Sequence, residues 1–248
     1  MNIKGKYHDT HFHLDLNENH EELITQIESK GIYTIAVTNL PVLYKKLSSK
    51  INHKYLKVAL GFHPELVDPM YIDQLPLMLD CLKTSKYVGE IGLDFTTNFK
   101  NKDLQTRVFS QIIDVCRNRK DRILSIHSRG AANEVINIIG KDFNSIVILH
   151  WFSGNLTQLK LAVQNNCYFS INYAMASSKK GIRLIKEMPK DRILLESDGP
   201  FVKINGELSS PLNISQTVLK VSNILEWNYQ ETINTFYSNF KQILHASN

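Results

Sequence analysis

His11 and His13 stand two residues apart in Asp9-Thr10-His11-Phe12-His13. In an extended strand, that spacing turns both side chains to one side. Two imidazoles so placed are a natural pair of ligands for one metal ion. Further groups of the same kind punctuate the chain: His63 in Gly61-Phe62-His63-Pro64, Glu90 in Gly89-Glu90-Ile91-Gly92-Leu93-Asp94, and His127 in Ile126-His127-Ser128-Arg129. His150 follows in Leu149-His150-Trp151-Phe152-Ser153-Gly154, and Asp198 in Leu195-Glu196-Ser197-Asp198-Gly199-Pro200. Imidazoles with carboxylates bind divalent transition metals such as zinc, manganese or iron. Glu90, His127, His150 and Asp198 can complete a site begun by His11 and His13. A carboxylate bridging two ions about 4 Å apart would make a hydrolytic two-metal centre.

Taken singly, each residue has a plainer explanation. One histidine on an apolar strand is more often a hydrogen-bonded core residue than a ligand. His8, His20, His53 and His245 are read that way, or as surface groups. Glu90 could pair with a buried cation, and Asp198 could shape the turn before Gly199-Pro200. Six strand ends carrying ligand-type residues are a different matter, because buried polar groups without partners cost several kcal/mol each, roughly.

The elements that must position these residues follow a β-α rhythm. Apolar, β-branched runs occupy residues 8–15, 33–39, 56–62, 87–95, 122–128, 145–152, 167–173 and 192–198. Ile146-Val147-Ile148-Leu149 is nearly continuous in its apolar character, as a strand buried on both faces should be. Amphipathic stretches alternate with the runs, at 21–29, 41–50, 70–83, 103–117, 131–139, 156–164 and 179–187, before a terminal pair at 214–225 and 229–244. Eight such repeats in 248 residues predict a single (β/α)₈ TIM barrel spanning residues 1–248. The His and carboxylate positions all lie at C-terminal ends of predicted strands, which converge on one rim of a barrel. No G-x-G-x-x-G follows the first strand, so a dinucleotide-binding fold loses its main support.

Composition narrows the classes further. Cys81, Cys116 and Cys167 are odd in number, widely spaced and form no C-x-x-C pair, so free thiols are expected rather than disulfides or a structural zinc. No segment is apolar for long enough to span a bilayer, and Met1–Lys6 lacks the apolar run of a signal peptide. A cytoplasmic protein without membrane association is expected. The net charge of +5 mildly favours an anionic partner. Basic clusters at Lys45-Lys46, at Arg117/Arg119/Lys120/Arg122 and at Lys179-Lys180 with Arg183 and Lys186 are either solvated faces or contacts for that partner.

The strand-end motifs, with His11-Phe12-His13-Leu14-Asp15 at the start and Asn239-Phe240 in the last helix, together resemble the TatD-like metal-dependent hydrolases. The resemblance runs in order from about residue 7 to the last helix. It implies one metal held by His11, His13, Glu90 and Asp198, and a second held by Glu90, His127 and His150, with Glu90 bridging. It places His63 against a scissile phosphate. It implies DNase activity, often as an exonuclease, with magnesium or manganese supporting activity and zinc as an alternative occupant. Gly31-Ile32-Tyr33, Arg122–Arg129, His150–Gly154 and Glu196–Phe201 are more specifically similar to the TatD-like component of the Qat anti-phage defence system. That likeness implies a bacterial host and partner proteins. Trp151, Ser197, Gly199 and the stretch Lys203–Pro211 depart from the usual family pattern, which leaves the ligand set whole and the grip on substrate in question.

Phosphodiester hydrolysis of a nucleic acid, DNA above all, is therefore the leading expectation. Asp198 is the candidate general base for the attacking water. His63 and Arg129 would donate to the phosphate, although Arg129 could equally tie a loop to a carboxylate. Two rivals use the same residues: hydrolysis of a small amide, ester or aminoacyl ester, and a latent subunit active only with defence-complex partners.

Overall fold

The structure is a computed structural model and describes residues 5–247. Its strands are parallel wherever they belong to the β-α repeat. β1 (His8–Phe12), β2 (Tyr33–Ala36) and β3 (Leu56–Val58) form one ladder. β4 (Tyr87–Gly92), β5 (Ile123–His127), β6 (Ile146–His150), β7 (Tyr168–Ile171) and β8 (Ile193–Leu195) form a second, in that order. A parallel bridge between Leu60 and Val88 joins the two ladders on one side. On the other side β1 meets β8. There Leu195 N donates to His8 Nε2 at 3.1 Å, and Thr10 Oγ1 to the Leu195 carbonyl at 3.1 Å. The result is a closed (β/α)₈ barrel.

The helices cover the outside. α1 (His20–Lys30), α2 (Pro41–Ser48), α3 (Leu75–Cys81), α4 (Lys102–Cys116), α5 (Ala132–Ile139), α6 (Leu156–Gln164) and α7 (Lys179–Glu187) each follow the strand of the same number. α8 (Ile214–Leu225) and α9 (Tyr229–Ala246) close the chain. α4 shows the logic: Val108, Phe109, Ile112, Ile113 and Cys116 recur at helical spacing and are all buried. α1 stops at Gly31, which takes the left-handed conformation (φ 66°) and turns its N–H back to Ile27 and Glu28.

All eight expected strands are present, and shorter than the apolar runs, because the last residues of each run leave the ladder to line the rim. The stretch 70–83 yields a helix only over Leu75–Cys81. Pro76 lacks an N–H and fits at the second helical position, not in an interior. One element was not foreseen: a short antiparallel hairpin of β9 (Lys203–Ile204) and β10 (Glu207–Leu208), turning through Asn205 and Gly206 at φ 52° and 90°. Asn-Gly is a strong hairpin signal, but arms of two residues show no alternation from which to read strands. All three cysteines are free, and Cys116 and Cys167 are buried. No helix among the described residues is long and apolar enough to cross a membrane.

Candidate metal centre

Glu90 sits at the end of β4, 2% exposed, with imidazoles around both of its oxygens. Its Oε2 is 3.3 Å from His11 Nε2, 3.5 Å from His13 Nε2 and 3.3 Å from His63 Nε2. Its Oε1 is 2.7 Å from His127 Nδ1 and 3.1 Å from His150 Nε2. Asp198 Oδ1 lies 3.8 Å from His11 Nε2 and 3.6 Å from His13 Nε2. Seven of the eight residues singled out in the sequence therefore meet in one place. Arg129 is the exception. It is exposed in the loop after β5, and its guanidinium makes no hydrogen bond or ion pair among the described residues.

Local backbone geometry brings the carboxylates in. Gly61, beside β4, approaches so closely that a Cβ there would lie 1.6 Å from the Thr38 carbonyl oxygen and 2.7 Å from Glu90 N. Only glycine fits between them. Asp198 is held left-handed (φ 48°) with its N–H on the His11 carbonyl at 3.0 Å, and His13 N donates to the Gly199 carbonyl at 3.0 Å. Rare backbone conformations of this kind gather at functional sites.

Second partners fix which nitrogen of each ring faces inward. His11 Nδ1 is 2.7 Å from Ser125 Oγ, leaving Nε2 for the centre. His127 Nε2 is 2.8 Å from Asp94 Oδ2 and its Nδ1 2.7 Å from Glu90 Oε1, so the ring lies between two carboxylates, which outweigh burial and raise its pKa. His150 Nδ1 faces Glu196 at 3.4 Å, an electrostatic contact too poorly aligned for a hydrogen bond. Glu196 is itself held by the Trp151 and Asn172 nitrogens and by the Ser170 hydroxyl. His63 differs. Its Nδ1 accepts from Glu65 N at 3.1 Å, so its proton is on Nε2 and points at the centre. That arrangement suits a donor to substrate, not a metal ligand, although His63, Glu90 and His127 also lie close enough to form a ligand group.

Charge follows from these neighbours. Burial alone would raise the Glu90 pKa, but the imidazoles of His63, His11 and His150 overturn this and hold it well below the usual carboxylate range. His11 and His150 stack at 3.8 Å, so a positive charge on one ring disfavours a charge on the other. Burial, then the neighbouring His150, lowers His11. Burial also presses on His150, but Glu196 and Glu90 outweigh it and carry the pKa well above the usual histidine value.

The donor set fits a divalent cation. His11 Nε2 and His13 Nε2 are 3.2 Å apart, and each lies 3.3–3.8 Å from Glu90 Oε2 and from Asp198 Oδ1. Ligands at about 2.1 Å from a tetrahedral ion stand about 3.4 Å apart. His11, His13 and Asp198 are close enough to hold one ion as a group. On the other side, Glu90 Oε1 with His127 and His150 has closed to hydrogen-bond distances. Asp94, Glu196 and Ser125 were not foreseen as partners. Glu196 was recoverable, being two residues before Asp198 and hence on the same side of an extended segment.

A family model described as TatD related DNase matches residues 8–245. The chain belongs to the TatD family. TatD proteins are metal-dependent hydrolases described as DNases, enzymes of phosphodiester hydrolysis, and that class covers this chain. It is 25% identical over 249 residues to the uncharacterized metal-dependent hydrolase YabD of Bacillus subtilis, covering 95% of this chain and 97% of YabD. It is 25% identical to the human deoxyribonuclease TATDN3 over 91% of this chain and 89% of that protein. The fold is similar to that of YjjV, a TatD homologue from Escherichia coli K12, with a TM-score of 0.85 at 20% identity over 97% of this chain and 98% of YjjV.

Proposed function

We propose that this TatD protein is a two-metal exonuclease on DNA, working in the bacterial cytoplasm in anti-phage defence beside partners of a Qat-type system. The observation that carries the two-metal reading is Glu90, whose oxygens face separate imidazole groups: His11 and His13 with Asp198 on one side, His127 and His150 on the other. Magnesium or manganese would serve activity, and zinc would also suit the imidazole-rich set. Bound there, the cations would polarise phosphoryl oxygens and lower the pKa of a water towards neutrality. Asp198 would accept the proton of that water. His63 Nε2–H would donate to a phosphate oxygen, and the exposed guanidinium of Arg129 would do the same from the rim. The defence role rests on the sequence likeness of Gly31–Tyr33, Arg122–Arg129, His150–Gly154 and Glu196–Phe201 to the TatD-like Qat component.

Metal analysis joined to a nuclease assay tests the core of this. About two divalent ions per chain, loss of cleavage after chelation, and recovery with manganese or magnesium are expected. Undiminished cleavage after exhaustive chelation overturns it, as does turnover of small esters with none on any oligonucleotide.

A further inference from the structure

Phe201 is a large apolar side chain left 62% exposed, and its ring lies 5.0 Å from that of His13 at 90°. Exposed apolar groups gather on this side of the barrel: Leu16, Met70, Phe99, Phe201 and Leu208 all lie in the segments that lead from a barrel strand to the next helix, on the rim that carries Glu90. Phe201 alone of these rests its ring against the histidine cluster. It is also firmly held. Phe201 N donates to the Asp198 carbonyl at 3.0 Å, and Ser209 N to the Val202 carbonyl at 2.8 Å. Val202 and Ile204 are 1% and 2% exposed, while Phe201 and Lys203 both face solvent. The buried pair anchors the segment, and the alternation presents a ring and an ammonium side by side, with Cα atoms no more than about 7 Å apart. Lys203 makes no hydrogen bond or ion pair among the described residues.

A rigid exposed ring beside a free cation fits a ligand carrying a flat face and an anion in succession. A nucleotide is such a ligand. We infer that Phe201 stacks on an unpaired base next to the reacting phosphate, and that Lys203 takes a neighbouring backbone phosphate. The inference rests on the nuclease reading and names the side chains that would hold the reacting end: the ring needs an unpaired base, because a base within a duplex has both faces covered.

Two measurements test it on the full chain. In the first, single-stranded oligonucleotides carry either a normal base or an abasic residue at the cleaved end. Base stacking contributes about 1–3 kcal/mol per base, equivalent to roughly 5- to 150-fold. Phe201→Ala should raise KM for the base-bearing strand within that range, with a much smaller change in kcat, and leave the abasic strand unaffected. Phe201→Trp should behave as wild type, as should Leu219→Ala, which removes an exposed apolar side chain on α8. Lys203→Ala should flatten the log–log salt dependence of binding by about 0.7. In the second, a terminal 2-aminopurine reports stacking in the non-cleaving Glu90→Gln background. Its fluorescence should be quenched on binding, and Phe201→Ala should abolish the quench. Equal KM penalties on base-bearing and abasic strands, or lost kcat with unchanged KM, would make Phe201 a mere support for His13. Binding without quench would overturn the stacking whatever the turnover. Quench without any cleavage by the wild type would spare the stacking and overturn the nuclease reading.

Discussion

One strand holds two pairs of buried polar residues with opposite fates. His8 and Asp9 begin β1, while His11 and His13 leave it, and all four are at most 1% exposed. The His8 ring stacks on Phe240 at 4.5 Å, its Nε2 accepts the Leu195 N–H, and its Nδ1 has no hydrogen-bond partner among the described residues. Burial alone drives its pKa down to about 3, so it stays neutral. Asp9 uses Oδ1 to accept from His11 N and Ser197 N, and burial lifts its pKa to about 8. Both are staples of the barrel seam. His11 and His13, one turn of the pleat further on, face Glu90, Asp198 and each other. Burial does not separate the two pairs. What separates them is convergence: His8 meets hydrocarbon and backbone, His11 meets other ionisable groups.

The sharpest way to break this contrast is Glu90→Gln. Removing the charge shared by five imidazoles should lower hydrolysis by at least about three orders of magnitude while the barrel stays folded. Near-wild-type turnover with full metal content would end the bridging role. Next come the outer partners. Asp94→Asn and Glu196→Gln should each cost about 10- to 100-fold in metal affinity or activity, because they orient His127 and His150. An unchanged metal titration for both would mean that the ring orientations are set by packing instead.

His8→Phe should keep turnover within about threefold, since the ring touches no member of the cluster. Its effect belongs to stability. The folded pKa of His8 lies below the unfolded value of about 6.5, so folded protein binds fewer protons between pH 6.5 and 3. The stabilisation is present above pH 6.5 and is lost as pH falls, by about 2–3 kcal/mol at pH 4.5. Urea unfolding at pH 7 and 4.5 should show a smaller drop for His8→Phe than for wild type, and equal drops would show that His8 does not titrate as a buried base.

The smallest expected effect lies outside the contrast, where charge is neither buried nor convergent. Lys179, Lys180 and Arg183 line a cavity of about 410 Å³ against Gly154–Leu156 on the same rim. Lys180 donates to the Ser153 carbonyl, which leaves Lys179 and Arg183 with no hydrogen bond or ion pair among the described residues. Replacing Lys179 and Lys180 by Ala should flatten the salt slope of single-strand binding by about 0.7 for each phosphate no longer neutralised, with kcat little changed. An identical slope would return the pair to the solvated surface.

The inner cluster was legible because each of its members ends an apolar strand, and strand ends of a parallel barrel must meet. His8 was also legible as a core residue, since it precedes the strand end. Its partner Phe240 was not, because that contact crosses from β1 to the last helix. Asp94 on His127 and Glu196 on His150 depend on how separate strands align across the rim, which no single strand encodes. The exposed guanidinium of Arg129 shows the opposite limit: a loop side chain carries no periodicity, so its sequence left two roles open, and among the described residues it makes no carboxylate tie.

The seam between β1 and β8 also sets when the protein can act. His8 and Leu195, which meet there, are 187 positions apart in the chain. Asp198 takes its place by donating its N–H to the carbonyl of His11, so the centre needs both ends of that span. During synthesis, at roughly 5–20 residues per second, β1 waits about 10–40 seconds for its neighbour. A nascent chain shorter than 198 residues can therefore hold Glu90 and the histidines of the centre, but not its closing carboxylate. The hydrolytic centre stays incomplete until residue 198 has been made, and truncated products that end before it lack the closing carboxylate.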